Sequence, residues 1–121
     1  VTTKYLALNS SNNIVLTSSV SPGIETRNRR RVTSGTSLAE DDYYIGVFSN
    51  SDIAITLPAA STLTNGQTFT IKDEKGNANS IELKITASAE HLIDGENFII
   101  IESPYGSINL YTDGSSNYYI F

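Results

Sequence analysis

The chain contains no cysteine, no methionine and no tryptophan, and its only histidine is His91. Without cysteine there is no disulfide framework, no thiol nucleophile and no thiolate-ligated metal, so stability must come from packing or association. One histidine leaves few acid–base or multi-histidine metal arrangements, and His91, set in an Ala/Ser/Glu stretch, reads as a surface loop residue rather than a catalyst. No apolar run approaches the roughly 18 residues that span a bilayer, and no signal-peptide pattern opens the chain. Membrane insertion is therefore not expected of this stretch. The lack of methionine even at position 1 suggests a piece of a longer or processed polypeptide. At 121 residues the chain fits one compact domain with a short appendage.

What is abundant points to β-structure. Ser, Thr and Asn number sixteen, thirteen and eleven, about a third of the residues, whereas charged residues make up 17%. Such short polar side chains compete with a helical backbone ladder but suit turns and exposed strand faces. Apolar residues recur with period two: Phe69 and Ile71 between Thr68, Thr70 and Lys72; Ile81, Leu83 and Ile85 between Glu82, Lys84 and Thr86; Ile53, Ile55 and Leu57 around Ala54 and Thr56. Half-buried strands alternate in this way. Further strands are expected at about 3–8, 14–18, 43–48, 97–102, 107–112 and 117–121. Asn12-Asn13, Asn65-Gly66, Lys75-Gly76-Asn77, Asp94-Gly95 and Asp113-Gly114 supply turns that tolerate positive φ. The expected fold is all-β, an antiparallel sandwich-like head.

Charge divides the chain. Residues 1–36 carry five basic groups and one acidic, residues 37–121 three basic and twelve acidic, a balance of +4 against −9. An acidic body repels phosphates, so no nucleic-acid partner is expected of it. The Ser-rich segment 18–36, with Pro22-Gly23 and Arg27-Asn28-Arg29-Arg30-Arg31, reads as a connector. This places a boundary between a hairpin and basic connector at 1–36 and a β head at 37–121. The closing Asn117-Tyr118-Tyr119-Ile120-Phe121 is apolar on both faces, as a strand central in a sandwich or held between subunits would be.

Catalytic chemistry finds little to build on, and the chain is expected to be non-enzymatic and without cofactor. The acidic clusters Glu40-Asp41-Asp42 and Asp73-Glu74 raise paired-carboxylate hydrolysis, but loop acids are ordinarily solvated. Asp73, Glu74, Asn77 and Asn79 offer oxygens to a hard cation, yet Lys72 and Lys75 stand among them and a polar hairpin loop is the preferred reading, with no metal. The arginine run has four open readings: a nucleic-acid patch, a dibasic processing site, a solvated linker, or a set of guanidinium clamps on acidic residues of neighbouring chains. Tyr43, Tyr44, Tyr105, Tyr111, Tyr118 and Tyr119 are the best recognition candidates, because each joins an apolar ring to a polar tip, although strand and core packing account for tyrosines too.

From about Asp41 onward the chain resembles a recurrent C-terminal domain of phage tail-fibre and related viral fibre proteins. The resemblance rests on an ordered set: Asp42-Tyr43-Tyr44-Ile45-Gly46-Val47, Ile55-Thr56-Leu57-Pro58-Ala59, Asn65-Gly66-Gln67-Thr68-Phe69-Thr70-Ile71-Lys72-Asp73 with Gly76 and Ala78, Ile93-Asp94-Gly95, and Tyr111-Thr112-Asp113-Gly114 before a closing aromatic strand. The segments Lys4-Tyr5-Leu6-Ala7-Leu8 and Asn13-Ile14-Val15-Leu16-Thr17 look like the short strand repeats that precede such heads. It implies a homotrimeric distal domain on the virion surface that attaches to a host glycan or protein receptor. The alternative is a purely structural trimerisation or capping domain. Candidate receptor contacts are Tyr43, Tyr44, Tyr105, Asn77 and Asn79; candidate subunit contacts are Arg29, Arg30, Arg31, Tyr119 and Phe121.

Overall fold

The computed structural model describes residues 26–121 and the backbone of two upstream strands, 5–8 and 14–17. The strands are β1 (Tyr5–Leu8), β2 (Ile14–Thr17), β3 (Arg29–Val32), β4 (Thr36–Ser37), β5 (Tyr44–Val47), β6 (Ile53–Thr56), β7 (Thr68–Asp73), β8 (Leu83–Thr86), β9 (Leu92–Ile93), β10 (Phe98–Ile101), β11 (Ser107–Thr112) and β12 (Asn117–Ile120). A single 3-10 turn at Ala60–Thr62 is the only helical element among the described residues. β1 and β2 pair antiparallel, with Tyr5 opposite Thr17 and Leu8 opposite Ile14. The turn expected at Asn12-Asn13 between them lies outside the described residues.

The remaining strands form two mixed sheets, one of four strands in the order β10-β8-β6-β4 and one of six in the order β3-β5-β7-β11-β12-β9. From β3 to β11 each strand lies in the opposite sheet from the one before it. Consequently β3, β5 and β7 are mutually parallel in the larger sheet, and β4, β6 and β8 in the smaller. The antiparallel expectation is corrected here. Parallel neighbours need a long crossover, and this chain makes each crossover from a strand of the facing sheet instead of a helix. Only β11 and β12 are sequential neighbours within one of these two sheets.

Period two sets which side chains meet. Ile45, Val47, Phe69, Ile71, Leu110 and Tyr118 of the larger sheet and Ile53, Ile55, Leu83 and Ile85 of the smaller are all buried. They share one apolar core, to which Leu57, Ala60 and Leu63 contribute from the connections and Ile93 from β9. Register keeps partners on one face, with Ile45 beside Ile71, Leu110 beside Phe69, and Ile55 beside Ile85. The Tyr118 hydroxyl donates to the Pro58 carbonyl, tying the last strand to the segment that leaves β6. Burial pushes that phenol well above its ordinary range, so it stays a neutral donor.

The basic stretch is not a free connector. Arg29–Val32 is an edge strand paired with β5, and Thr36–Ser37 pairs with β6, so the boundary expected after residue 36 falls inside β4. In the final segment Tyr118 is buried while Tyr119, Ile120 and Phe121 are exposed on the single chain. Where β9 stops short, the Asp94-Gly95 turn (φ 49° and 83°) takes over its edge. There Asp94 Oδ1 accepts the Ile120 N–H at 3.3 Å, a side-chain cap on an otherwise open strand.

Candidate functional site

The outer face of the six-stranded sheet carries the residues with the most to offer a partner. Alternation and register align them in rows across the strands. One row runs Arg29, Tyr44, Thr70 and Asn109, and the Phe121 N–H bonds to the Asn109 carbonyl, adding Phe121 at its end. A second runs Arg31, Gly46, Lys72 and Ser107, and a third joins Thr68, Tyr111 and Tyr119. At about 4.8 Å between strands, the first row spans about 19 Å.

One end of this face is aromatic. Tyr111 packs against Tyr119 and Phe121, with ring centroids 5.4 and 5.6 Å away, yet the three remain 39%, 37% and 63% exposed. Rings left this open in a cluster are more typical of contact surfaces than of a scattered apolar exterior. Tyr44, two strands away from Tyr111's strand, is likewise exposed and is held edge-on by Tyr43 at 4.5 Å.

The other end is ionic. Glu74 folds back over Gly46 and accepts from both Arg29 (Nε, 3.1 Å) and Arg31 (Nε, 3.2 Å). A Cβ on residue 46 would lie 2.1 Å from the Glu74 carboxyl carbon, so only glycine leaves room for the carboxylate in this position. Burial works to raise the Glu74 pKa, but the hydrogen bonds and charges of the two arginines outweigh it and hold the group below its ordinary value. Between these residues lies a shallow depression of about 280 Å³, lined by Tyr44, Thr70, Lys72 and Ser107 as well as Arg29 and Glu74.

Beneath the rim, Asp73 organises the 73–78 loop and the 103–106 turn together. Its carboxylate accepts four backbone N–H groups, those of Lys75, Gly76, Ala78 and Tyr105, at 2.9–3.2 Å. Burial alone would raise its pKa, but the four donors overcome that and lower it. Tyr105 stands in the left-handed region at φ 59° with its ring laid on the bare Cα of Gly76. A non-glycine residue there costs about 1–3 kcal/mol, which the Asp73 bond and the ring contact offset.

The residues singled out from sequence therefore divide. Tyr44, Arg29, Arg31, Tyr119 and Phe121 share the outer face, and Tyr105 stands at its rim, where its carbonyl accepts from Lys72 Nζ. Tyr43 turns to a separate open cleft of about 620 Å³, under the Arg27 guanidinium. Asn77 points inward and donates to the Ser49 carbonyl, while Asn79 is exposed beside Ile100 and Glu102. Arg30 reaches Asp42 through two bonds of 3.1 and 2.7 Å. All three arginines thus pair within their own chain. Tyr118, one of the recognition candidates, is a core residue. His91, read as a surface residue, is half-buried and both ring nitrogens are enclosed with no hydrogen-bond partner. Glu74 and Asp73 are committed to guanidinium and backbone donors, and no cluster of three acidic or histidine side chains suited to a metal occurs among the described residues. Reasoning from sequence missed Lys72, Thr70 and Gly46, although alternation with buried Phe69 and Ile71 was the signal for the first two.

No protein-family model matches the chain, and no curated protein is significantly similar to it.

Proposed function

We propose that this chain is the non-enzymatic distal domain of a virion fibre, a β head at the virion surface preceded by a short hairpin shaft. In this reading it assembles as a homotrimer and attaches to a host cell-surface glycan or protein receptor through the outer face of the six-stranded sheet. The observation that carries the reading is the set of exposed rings on this face: Tyr44 and Phe121 at the ends of the row that holds Thr70 and Asn109, and Tyr111 and Tyr119 packed beside Phe121 in a neighbouring row. Aromatic faces interleaved with short polar groups suit sugar rings and protein surfaces alike. The ordered resemblance to viral fibre heads supplies the biological setting. Binding of the purified chain to host cells and to arrayed glycans tests the proposal. Tyr111→Ala with Tyr119→Ala should abolish that binding while leaving circular dichroism unchanged; absence of binding by the intact chain overturns it.

A structural trimerisation or capping role is the second reading. It is favoured by the end of β12, where Ile120 and Phe121 are 41% and 63% exposed on opposite faces of the strand. Removing residues 117–121 would also take Tyr118 out of the core, so Ile120→Ser with Phe121→Ser is the sharper probe. Light scattering should give a trimer mass for the intact chain and a monomer mass for the double variant. A stable monomer of the intact chain at micromolar concentration sinks the trimer in both readings.

A further inference from the structure

We infer that the depression beside Tyr44 is a site for an anionic sugar residue, a ring bearing a carboxylate or phosphate. This rests on the attachment reading above and specifies the ligand class for the same face. Positive charge is concentrated here in a chain that is otherwise acidic. Arg29 and Arg31 pair with Glu74, Lys72 lines the same depression, and Lys75 lies over Phe48 beside Arg31, while the other nearby carboxylate, Asp73, is buried and taken up by backbone N–H groups. The two arginines share the Glu74 carboxylate, and neither lysine has an ion-pair partner among the described residues: Lys72 Nζ bonds the Tyr105 carbonyl, and Lys75 Nζ lies 4.3 Å from the Phe48 ring centroid. A second anion is thus electrostatically favoured beside Glu74 without displacing it.

The shape favours a ring over a bare ion. Gly46 lets the Glu74 carboxylate lie flat on the strand and form part of the floor, Tyr44 forms an exposed aromatic wall, and Thr70, its hydroxyl bonded to Asn109 Oδ1, lines the remaining side with Ser107. At about 280 Å³ the space is at the small end of ligand clefts, suited to one sugar unit rather than a peptide helix or a fatty chain. Tyr43 packed edge-on against Tyr44 holds the wall in place before any ligand arrives. Further sugars of the same chain would extend along the row through Asn109 toward Phe121.

The test is an array of uronate-, sialate- and phosphate-bearing oligosaccharides, each printed beside its carboxyl-reduced or dephosphorylated form and probed with the full chain. At least one anionic form should bind about tenfold or more tightly than its neutral counterpart, the size of one charge-assisted hydrogen bond. That preference should fall with added salt, and disappear in Lys72→Glu and Tyr44→Ala but not in Lys84→Glu, whose side chain lies over Phe98 on the other sheet. Equal binding of every charged and neutral pair overturns the inference, as does competition by inorganic phosphate at the same concentration as the sugar. If host-cell binding persists in either case, the attachment reading stands alone; if no host cell is bound, that reading fails first.

Discussion

Replacing Asp73 by Asn isolates the charge of the loop organiser with almost no change in shape. The carboxylate is 1% exposed and accepts four backbone N–H groups, two on each oxygen. The amide keeps one oxygen and therefore two of those bonds, now between neutral groups and roughly half as strong. Its NH₂ faces the other two N–H groups donor against donor. Each donor left unsatisfied costs about 1–3 kcal/mol where it is buried, as at Ala78, and less where water reaches it. The expected loss is about 3 kcal/mol, read from urea or guanidinium unfolding of both proteins at pH 7. Asp52→Asn, whose carboxylate accepts the Glu82 N–H at an exposed site, should cost less than about 1 kcal/mol. The pH dependence gives a second readout. Because the folded-state pKa of Asp73 lies below its ordinary value, its stabilisation is fully present above that value and is lost as pH falls through the folded pKa. The gap between wild type and Asp73→Asn should therefore narrow on acidification below pH 3.8. A loss under about 1 kcal/mol at pH 7, or a gap that widens in acid, refutes the role given to this carboxylate.

Tyr118→Phe keeps the ring in the core but deprives the Pro58 carbonyl of its donor, and should cost about 1–3 kcal/mol by the same unfolding measurement. Leu83→Asp, at a fully buried position, should destabilise by about 4 kcal/mol or more, whereas Lys84→Asp next to it should stay under about 1 kcal/mol; equal losses would contradict the facing of β8. Gly46→Ala should push the Glu74 carboxylate off the strand and cost about 1 kcal/mol, a small figure because Arg29 and Arg31 are about half exposed. The same substitution in a Glu74→Ala background should cost little, and a double-mutant cycle without coupling would show that the two residues do not compete for that space.

Alternation was a faithful guide to where strands lie and which side they bury, and it could not indicate their neighbours. Phe69 and Ile71, or Leu83 and Ile85, are inward in β7 and β8 whatever strand stands alongside. Direction depends on the connections, and the polar turns between strands were compatible with simple hairpins. Asp94-Gly95 does make a tight reversal, with Ile93 and Glu96 bonded across it, but it leads from one sheet to the other. β3, β4 and β9 escaped notice for a different reason. Two of them are only two residues long, too short for periodicity. The third alternates not apolar with polar but one arginine face with another, Arg29 and Arg31 outward and Arg30 toward Asp42.

That edge strand also shows where the basic block of the sequence goes. A block of +4 followed by a body of −9 left clamps on neighbouring chains as one of four open readings of the arginines. Parallel pairing of β3 with β5 brings them alongside the body of their own chain, where Asp42 takes Arg30 and Glu74 takes Arg29 and Arg31. Edge strands are exposed to pairing with other chains, and a row of charges is one way of discouraging it. The arginines therefore protect the edge and position Glu74, and the cation closer to the middle of the face is Lys72. Lys72 occupies β7, between the strand that carries Tyr44 and the strand that carries Asn109 and Tyr111. Its charge thus stands between an aromatic wall and a polar row, and the composition of the chain alone gave no reason to look for a cation there.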